Sequence, residues 1–177
     1  RDQPRSRGLG DVYKRQAYNS YYDPDGDKHV AYTEGIFIGY RGYDKLKREV
    51  QYPFGYGLSY TTFKLSDLTV SKPNADGTVE VTCRLANTGK RDGAQVVQAY
   101  VGKTESSPVE RPEKELRKFE KVFLKAGEST TVKMTLPKES FMYFDVNSTQ
   151  FVTDPGTYNI MLGFSSRDIK IQKNIQY

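Results

Sequence analysis

Little in this sequence can hold a metal or attack a bond. Its 177 residues contain one cysteine and one histidine. A single cysteine cannot close an internal disulfide. Cys83 lies in the run TVEVTCRLA, where it shares a face with Val79, Val81 and Leu85. That placement fits a small core residue better than a reactive thiol, which needs an electropositive, partly exposed setting. His29 has no second histidine and no recognisable serine or cysteine partner, so zinc and triad chemistries have nothing to build on. Long apolar runs are missing too. No stretch approaches the roughly eighteen apolar residues of a membrane span, and no apolar leader of the signal-peptide kind opens the chain.

Charge of one sign is also scarce once the first residues are set aside. The formal net charge is +5, but residues 1–16 (RDQPRSRGLGDVYKRQ) supply +3 of it and leave only +2 for residues 17–177. Those first residues show no apolar periodicity and no turn logic leading into the segment from Ala17 onward, and the chain opens on Arg1. They resemble a translated adaptor or linker scar, expected to be disordered, and are excluded from fold reasoning. Elsewhere Lys and Arg alternate with Asp and Glu, whereas a nucleic-acid footprint needs them gathered into a patch. A nucleic-acid partner is therefore not expected.

What is present, from about Thr62 onward, is β-structure. Thr78 to Ala86 alternates strictly, with Val79, Val81, Cys83 and Leu85 on one side and Glu80, Thr82 and Arg84 on the other. Period two over that length marks a half-buried strand. Ser129 to Leu136 repeats the pattern through Val132, Met134 and Leu136, and Thr157 to Gly163 through Tyr158, Ile160 and Leu162. Ile169 and Ile171 open a last short strand. Phe63 and Leu65 fall one residue out of phase with Leu68 and Val70, which a bulge near Ser66–Asp67 explains. Ala94 to Val101 is apolar on both faces, as in a central strand, and a further strand is read from about Phe119 to Leu124. The connections SKPNADG, NTGKRDG, KAGE and TDPG carry Gly with Asn, Asp or Pro. Seven or so short strands with such turns define an all-β fold, best read as an antiparallel β-sandwich over residues 62–177, with a small barrel as the competing pattern.

Residues 17–61 differ. They are rich in Tyr and Gly and too short to form a core, so they either wrap the sandwich or end a preceding domain. Gly35, Gly39 and Gly42 among aromatics suggest a strand and turn with closely packed backbones. Gly55 and Gly57 flanking Tyr56 suggest a tight loop that presents rings to a neighbour, through interdomain packing rather than sugar stacking.

Three stretches resemble glycoside hydrolase family 3, the family of many β-glucosidases and β-xylosidases. They are YTEGIFIGYRGYD (Tyr32 to Asp44), YPFGYGLSYTTF (Tyr52 to Phe63), and the region from Val97 to Ser165 with its R-P-x-x-x-L-x-x-F-x-x-V and L-x-x-G-E-S elements. The resemblance covers about residues 18–177. It implies that residues 17–61 are the tail of an α/β-sandwich second domain and its linker, and that residues 62–177 are an immunoglobulin/fibronectin type III-like sandwich.

It also implies that the chemistry is elsewhere. Glycoside hydrolysis needs two carboxyl groups about the scissile bond. In that family the nucleophilic Asp lies on an N-terminal (β/α)₈ barrel, which needs about 250 residues and has no room here. No catalytic, cofactor-binding or metal residue carries over, and no cofactor is expected. Glu34 is read as a carboxylate pairing with a cation such as Arg41. Asp23, Asp25, Asp27 and Glu34 do fall at positions 1, 3, 5 and 12 of an EF-hand-like calcium loop. Lys28 stands where that loop needs Gly, however, and no helices flank it, so a polar surface turn is the simpler reading. Asn147-Ser148-Thr149 is a glycosylation sequon in an expected polar loop after Phe144.

The expectation is thus a non-catalytic C-terminal portion of a β-glucosidase-like enzyme, inactive alone, whose sandwich braces the catalytic domains. Its partners would be the missing N-terminal domains of the same polypeptide, and the parent's substrate a β-glycoside. The alternative is an independent carbohydrate-binding or adhesion module. The compartment stays open, a periplasmic or extracellular parent being compatible with the sequence.

Overall fold

The computed structural model describes residues 34–177. From Phe63 the chain forms two facing antiparallel sheets. One has three strands, β1 (Phe63–Val70), β2 (Val79–Asn87) and β5 (Ser129–Leu136), in that order across the sheet. The other has four, in the order β4 (Glu115–Leu124), β3 (Gly93–Lys103), β8 (Thr157–Ser165) and β9 (Asp168–Gln176). A separate two-stranded ribbon, β6 (Met142–Asp145) with β7 (Gln150–Thr153), lies in the crossover from β5 to β8. The sandwich, not the barrel, is the architecture.

Alternation explains the core directly. The apolar sets of β2 and β5 turn inward against Val97, Ala99 and Val101 of β3 and Tyr158, Ile160 and Leu162 of β8. Their polar partners, such as Glu80, Arg84 and Lys133, face solvent. Cys83 is part of this core, and burial pushes its thiol up to about 11, the opposite of an activated nucleophile. In β1 the register slips between Ser66 and Thr69, with Asp67 at φ 56°, where the phase of the sequence breaks. A tyrosine corner closes the crossover, because Tyr158 donates its hydroxyl to the carbonyl of Asp154 at 2.6 Å. Desolvation raises that phenol to about 12, so it stays a donor at neutral pH.

Three readings need correction. Strand β4 starts at Glu115 rather than Phe119, and β9 is nine residues long rather than short. The β6–β7 ribbon was not anticipated. The glycine-rich stretch is a turn at 34–36 followed by one short helix, α1 (Tyr40–Lys45), rather than a strand and turn. The close backbone approach is real, since a Cβ on Gly42 would stand 2.1 Å from the carbonyl oxygen of Phe37.

Candidate functional site

The feature that ties the Tyr-rich segment to the sandwich lies on the outer face of the four-stranded sheet. Strand β3 is buried on both faces, and its outward residues Gln98, Tyr100 and Gly102 need cover. Residues 34–60 cover Gln98 and Tyr100, and Glu113 and Met161 cover Gly102. Gln98 donates its amide to the carbonyls of Gly55 (3.2 Å) and Phe164 (2.8 Å) and accepts from the Tyr100 hydroxyl at 2.6 Å. A glutamine within an apolar strand is affordable only because it is saturated in this way. Gly55 has φ +79°, and a Cβ there would lie 2.4 Å from the Gln98 side-chain oxygen, so the loop can approach only as glycine. Tyr40 stacks on Phe54 at 4.9 Å and meets Tyr100 edge-on at 6.1 Å. Its hydroxyl accepts the amide of Leu116 at 2.8 Å, and Ser166 donates its amide to the carbonyl of Phe54 at 2.8 Å. Burial raises the Tyr40 phenol against the pull of the Leu116 hydrogen bond.

An ionic seam runs alongside. Asp44, the buried residue of α1, lies 2.7 Å from Lys114 and 3.3 Å from Arg167. Arg167 also donates to the carbonyl of Arg48 at 2.5 Å. Lys45 pairs with Glu110 at 2.7 Å, and Lys47 pairs with Glu113. Arg41 reaches Glu115 at 3.3 Å. Of the calcium-loop residues, Asp23, Asp25 and Asp27 lie outside the described residues, as does His29. Among the described residues no three His, Cys, Asp or Glu side chains gather as metal ligands.

The outer side of the docked segment is left bare. Tyr52, Phe54, Tyr56, Leu58 and Tyr60 are all exposed, Leu58 and Tyr60 at about nine-tenths. Phe119 and Phe123 project from β4 on the same side of the sheet, since Phe119 pairs with the outward-facing Gln98 and Phe123 with Ala94. The loop therefore displays its rings at the surface, although Phe54 also stacks inward on Tyr40. Isolated exposed apolar residues need no explanation, but here five fall within the nine residues from Tyr52 to Tyr60.

A second charged cluster links two of the motif stretches. Asp154, of TDPG, lies 2.9 Å from Lys103 and 3.1 Å from Arg111, the arginine of the R-P element. Ser107 donates to it at 2.6 Å. Burial works to raise the Asp154 carboxyl, but the hydrogen bonds from Ser107, Lys103 and Arg111 outweigh it and hold the group below its ordinary value. This cluster pins the 104–114 loop to the crossover. Asn87 does comparable work where the linker enters: its side chain donates to the carbonyls of Arg91 (2.8 Å) and Leu124 (3.1 Å) and accepts from Thr61 at 2.6 Å. Sequence reasoning missed Asp44, Gln98, Asn87 and Asp154. The only signal was a polar residue within an apolar run for Gln98 and a turn motif for Asn87 and Asp154.

The sheets, the crossover and the tyrosine corner define a fibronectin type III-like domain, and the family model of that description matches residues 95–166. Relatives extend the match into the docked segment. The chain is 43% identical to thermostable β-glucosidase B of Acetivibrio thermocellus over 155 residues, which cover 86% of this chain and 20% of that protein. It is 46% identical to an exo-α-(1→6)-L-arabinopyranosidase of Bifidobacterium longum over 82% of this chain and 19% of that protein. Among solved structures, DesR, a β-glucosidase from Streptomyces venezuelae, superposes with a TM-score of 0.84 at 35% identity, over 89% of this chain and 20% of that one. A Bifidobacterium adolescentis GH3 β-glucosidase superposes with a TM-score of 0.79 at 42% identity, over 84% and 22%. The chain belongs to glycoside hydrolase family 3 and corresponds to a C-terminal portion that carries the fibronectin type III-like domain. It spans about a fifth of the length of the curated relatives it matches. No helix among the described residues is long and apolar enough to cross a membrane.

Proposed function

We propose that this portion braces the catalytic domains of a β-glycoside-cleaving enzyme. In this reading residues 17–61 are the tail of a preceding α/β domain and its linker, and residues 62–177 are the brace. The observation that carries it is the exposed row Tyr52, Phe54, Tyr56, Leu58 and Tyr60, which rides on a segment already anchored to the sheet. A loop fixed on one side and apolar on the other is suited to transmit one domain's position to the next. Aromatic side chains serve such a junction well, because they bury much area at low entropic cost. The partner in this account is the remaining four-fifths of the enzyme, joined covalently, with no nucleic acid involved.

The sugar specificity would lie outside this portion. Relatives named as a β-glucosidase and as an arabinopyranosidase share it at similar identity. The same exposed tyrosines also fit a carbohydrate-binding module, because aromatic rings stack on sugar faces, and a single titration separates the readings. Calorimetric titration of this chain with β-linked oligosaccharides is expected to give no heat of binding, and aryl β-glucosides are expected to remain uncleaved. Millimolar or tighter binding that disappears in Tyr52→Ala and Tyr56→Ala would favour the module, and hydrolysis by this chain alone would overturn the brace.

A further inference from the structure

The most exposed apolar surface that the docking face does not absorb is the tip of the β6–β7 ribbon. Phe144 and Phe151 pair across it, edge to face at 5.3 Å, and both are exposed, as is Val146 beyond them. A two-stranded ribbon has little stability of its own, yet this turn is firmly shaped. The Asp145 carboxylate accepts the amides of Asn147 and Ser148, each at 3.1 Å, and the Ser148 hydroxyl at 2.6 Å. Those bonds, the Ser148 hydroxyl first, hold the Asp145 carboxyl below its ordinary value, so the turn is set throughout the neutral range. Thr149 completes it in the left-handed region at φ 56°. The residues so displayed, Asn147, Ser148 and Thr149, are all exposed and form an N-x-T sequon, and the sequence holds no second one.

We propose that Asn147 is an acceptor site for an N-linked glycan and that the first sugar packs its apolar face on Phe144. Two independent features support this. The sequon sits at a solvent-facing turn, where Asn147 and Thr149 are both exposed. An aromatic ring, Phe144, also stands three residues before the acceptor, at the base of the same turn, with one edge contact to Phe151 and the rest of it exposed. A pyranose carries C–H groups on one face that suit an aromatic surface. The donor is an oligosaccharide linked through pyrophosphate to a lipid, as a eukaryotic secretory route supplies. The Asn147 Nδ2 attacks the anomeric carbon, the N–C bond forms as the C–O bond to pyrophosphate breaks, the lipid pyrophosphate leaves and the amide loses one proton. The proposal does not depend on the bracing role.

The test is to secrete the full chain from yeast beside a reporter glycoprotein and to map the sites after enzymatic deglycosylation in ¹⁸O water. The expected result is one occupied site, at Asn147, lost in Asn147→Gln and in Thr149→Ala. The glycosylated chain should also melt a few degrees above its deglycosylated form, and Phe144→Ala, which leaves the sequon intact, should close that gap. An unmodified Asn147 beside a fully modified reporter would overturn the acceptor site. A melting gap unchanged in Phe144→Ala would overturn the packing of the sugar on the ring.

Discussion

The two faces of the four-stranded sheet are covered by different chemistry. Inward, Val97, Ala99, Val101, Tyr158, Ile160 and Leu162 meet the apolar sets of β2 and β5 in a buried apolar layer. Outward, Gln98 and Tyr100 meet a glycine loop, a stacked tyrosine and a row of ion pairs through Asp44, Arg41, Lys45 and Lys47. The inner contact is non-directional and depends on area. The outer contact depends on geometry and charge, and so is sensitive to salt. The difference teaches where a brace can yield. The inner layer keeps the domain folded, and the outer layer sets how the domain is held by the segment before it.

The largest effect is expected where charge is buried as deeply as the core. Asp154→Ala removes the buried carboxylate that Lys103 and Arg111 share, leaving Arg111 only its 3.9 Å contact with Glu115, and should cost about 3–5 kcal/mol, read by denaturant unfolding. The same carboxyl predicts an acid response. Its folded value is depressed, so its contribution is complete above the unfolded value of about 3.9 and is lost as pH falls through the lower, folded one. Asp154→Asn should flatten that acid limb. Next, Leu85→Ala in the inner layer should cost about 2–5 kcal/mol, with no dependence on salt. Asp44→Ala should cost about 1.5–3 kcal/mol, and it should appear as faster amide exchange in residues 34–60 while the unfolding midpoint of the sandwich holds. In 1 M salt, where screening acts over about 3 Å, the unmutated seam should move toward that state. The smallest effect belongs to the exposed Lys170–Asp168 pair, where Lys170→Ala should change stability by less than about 1 kcal/mol. If Asp44→Ala unfolded the sandwich outright, the two faces would not be separable.

This contrast also explains what the sequence revealed. Strands β2, β5 and β8 were legible because a strand with one wet and one dry face must alternate, and β3 because a central strand must be apolar on both. The bulge at Ser66–Asp67 was legible as a phase error. Strand β4 was read four residues short, since Glu115 and Arg117 look like loop residues until Arg41 is seen to pair with Glu115 from 74 positions away. The β6–β7 ribbon escaped because its phenylalanines face outward, so it buries no periodic set. Helix α1 was missed because Gly39 and Gly42 weaken helix and strand alike, leaving contacts such as Asp44 with Lys114 to decide. Of the docking face, the aromatic row Tyr52 to Tyr60 was visible and its anchors were not, because ion pairs between distant residues leave no local pattern.

The bracing role is tested most directly by transplantation. Residues 34–177 would replace the corresponding portion of the Acetivibrio thermocellus β-glucosidase, with and without Tyr52→Ser, Leu58→Ser and Tyr60→Ser, and the half-life of hydrolysis would be measured at raised temperature. These three side chains are exposed in this chain, so its own melting should not change. The account predicts that the unmodified graft keeps its activity and that the triple variant loses it many-fold faster at unchanged KM. Equal half-lives for the two grafts would contradict it.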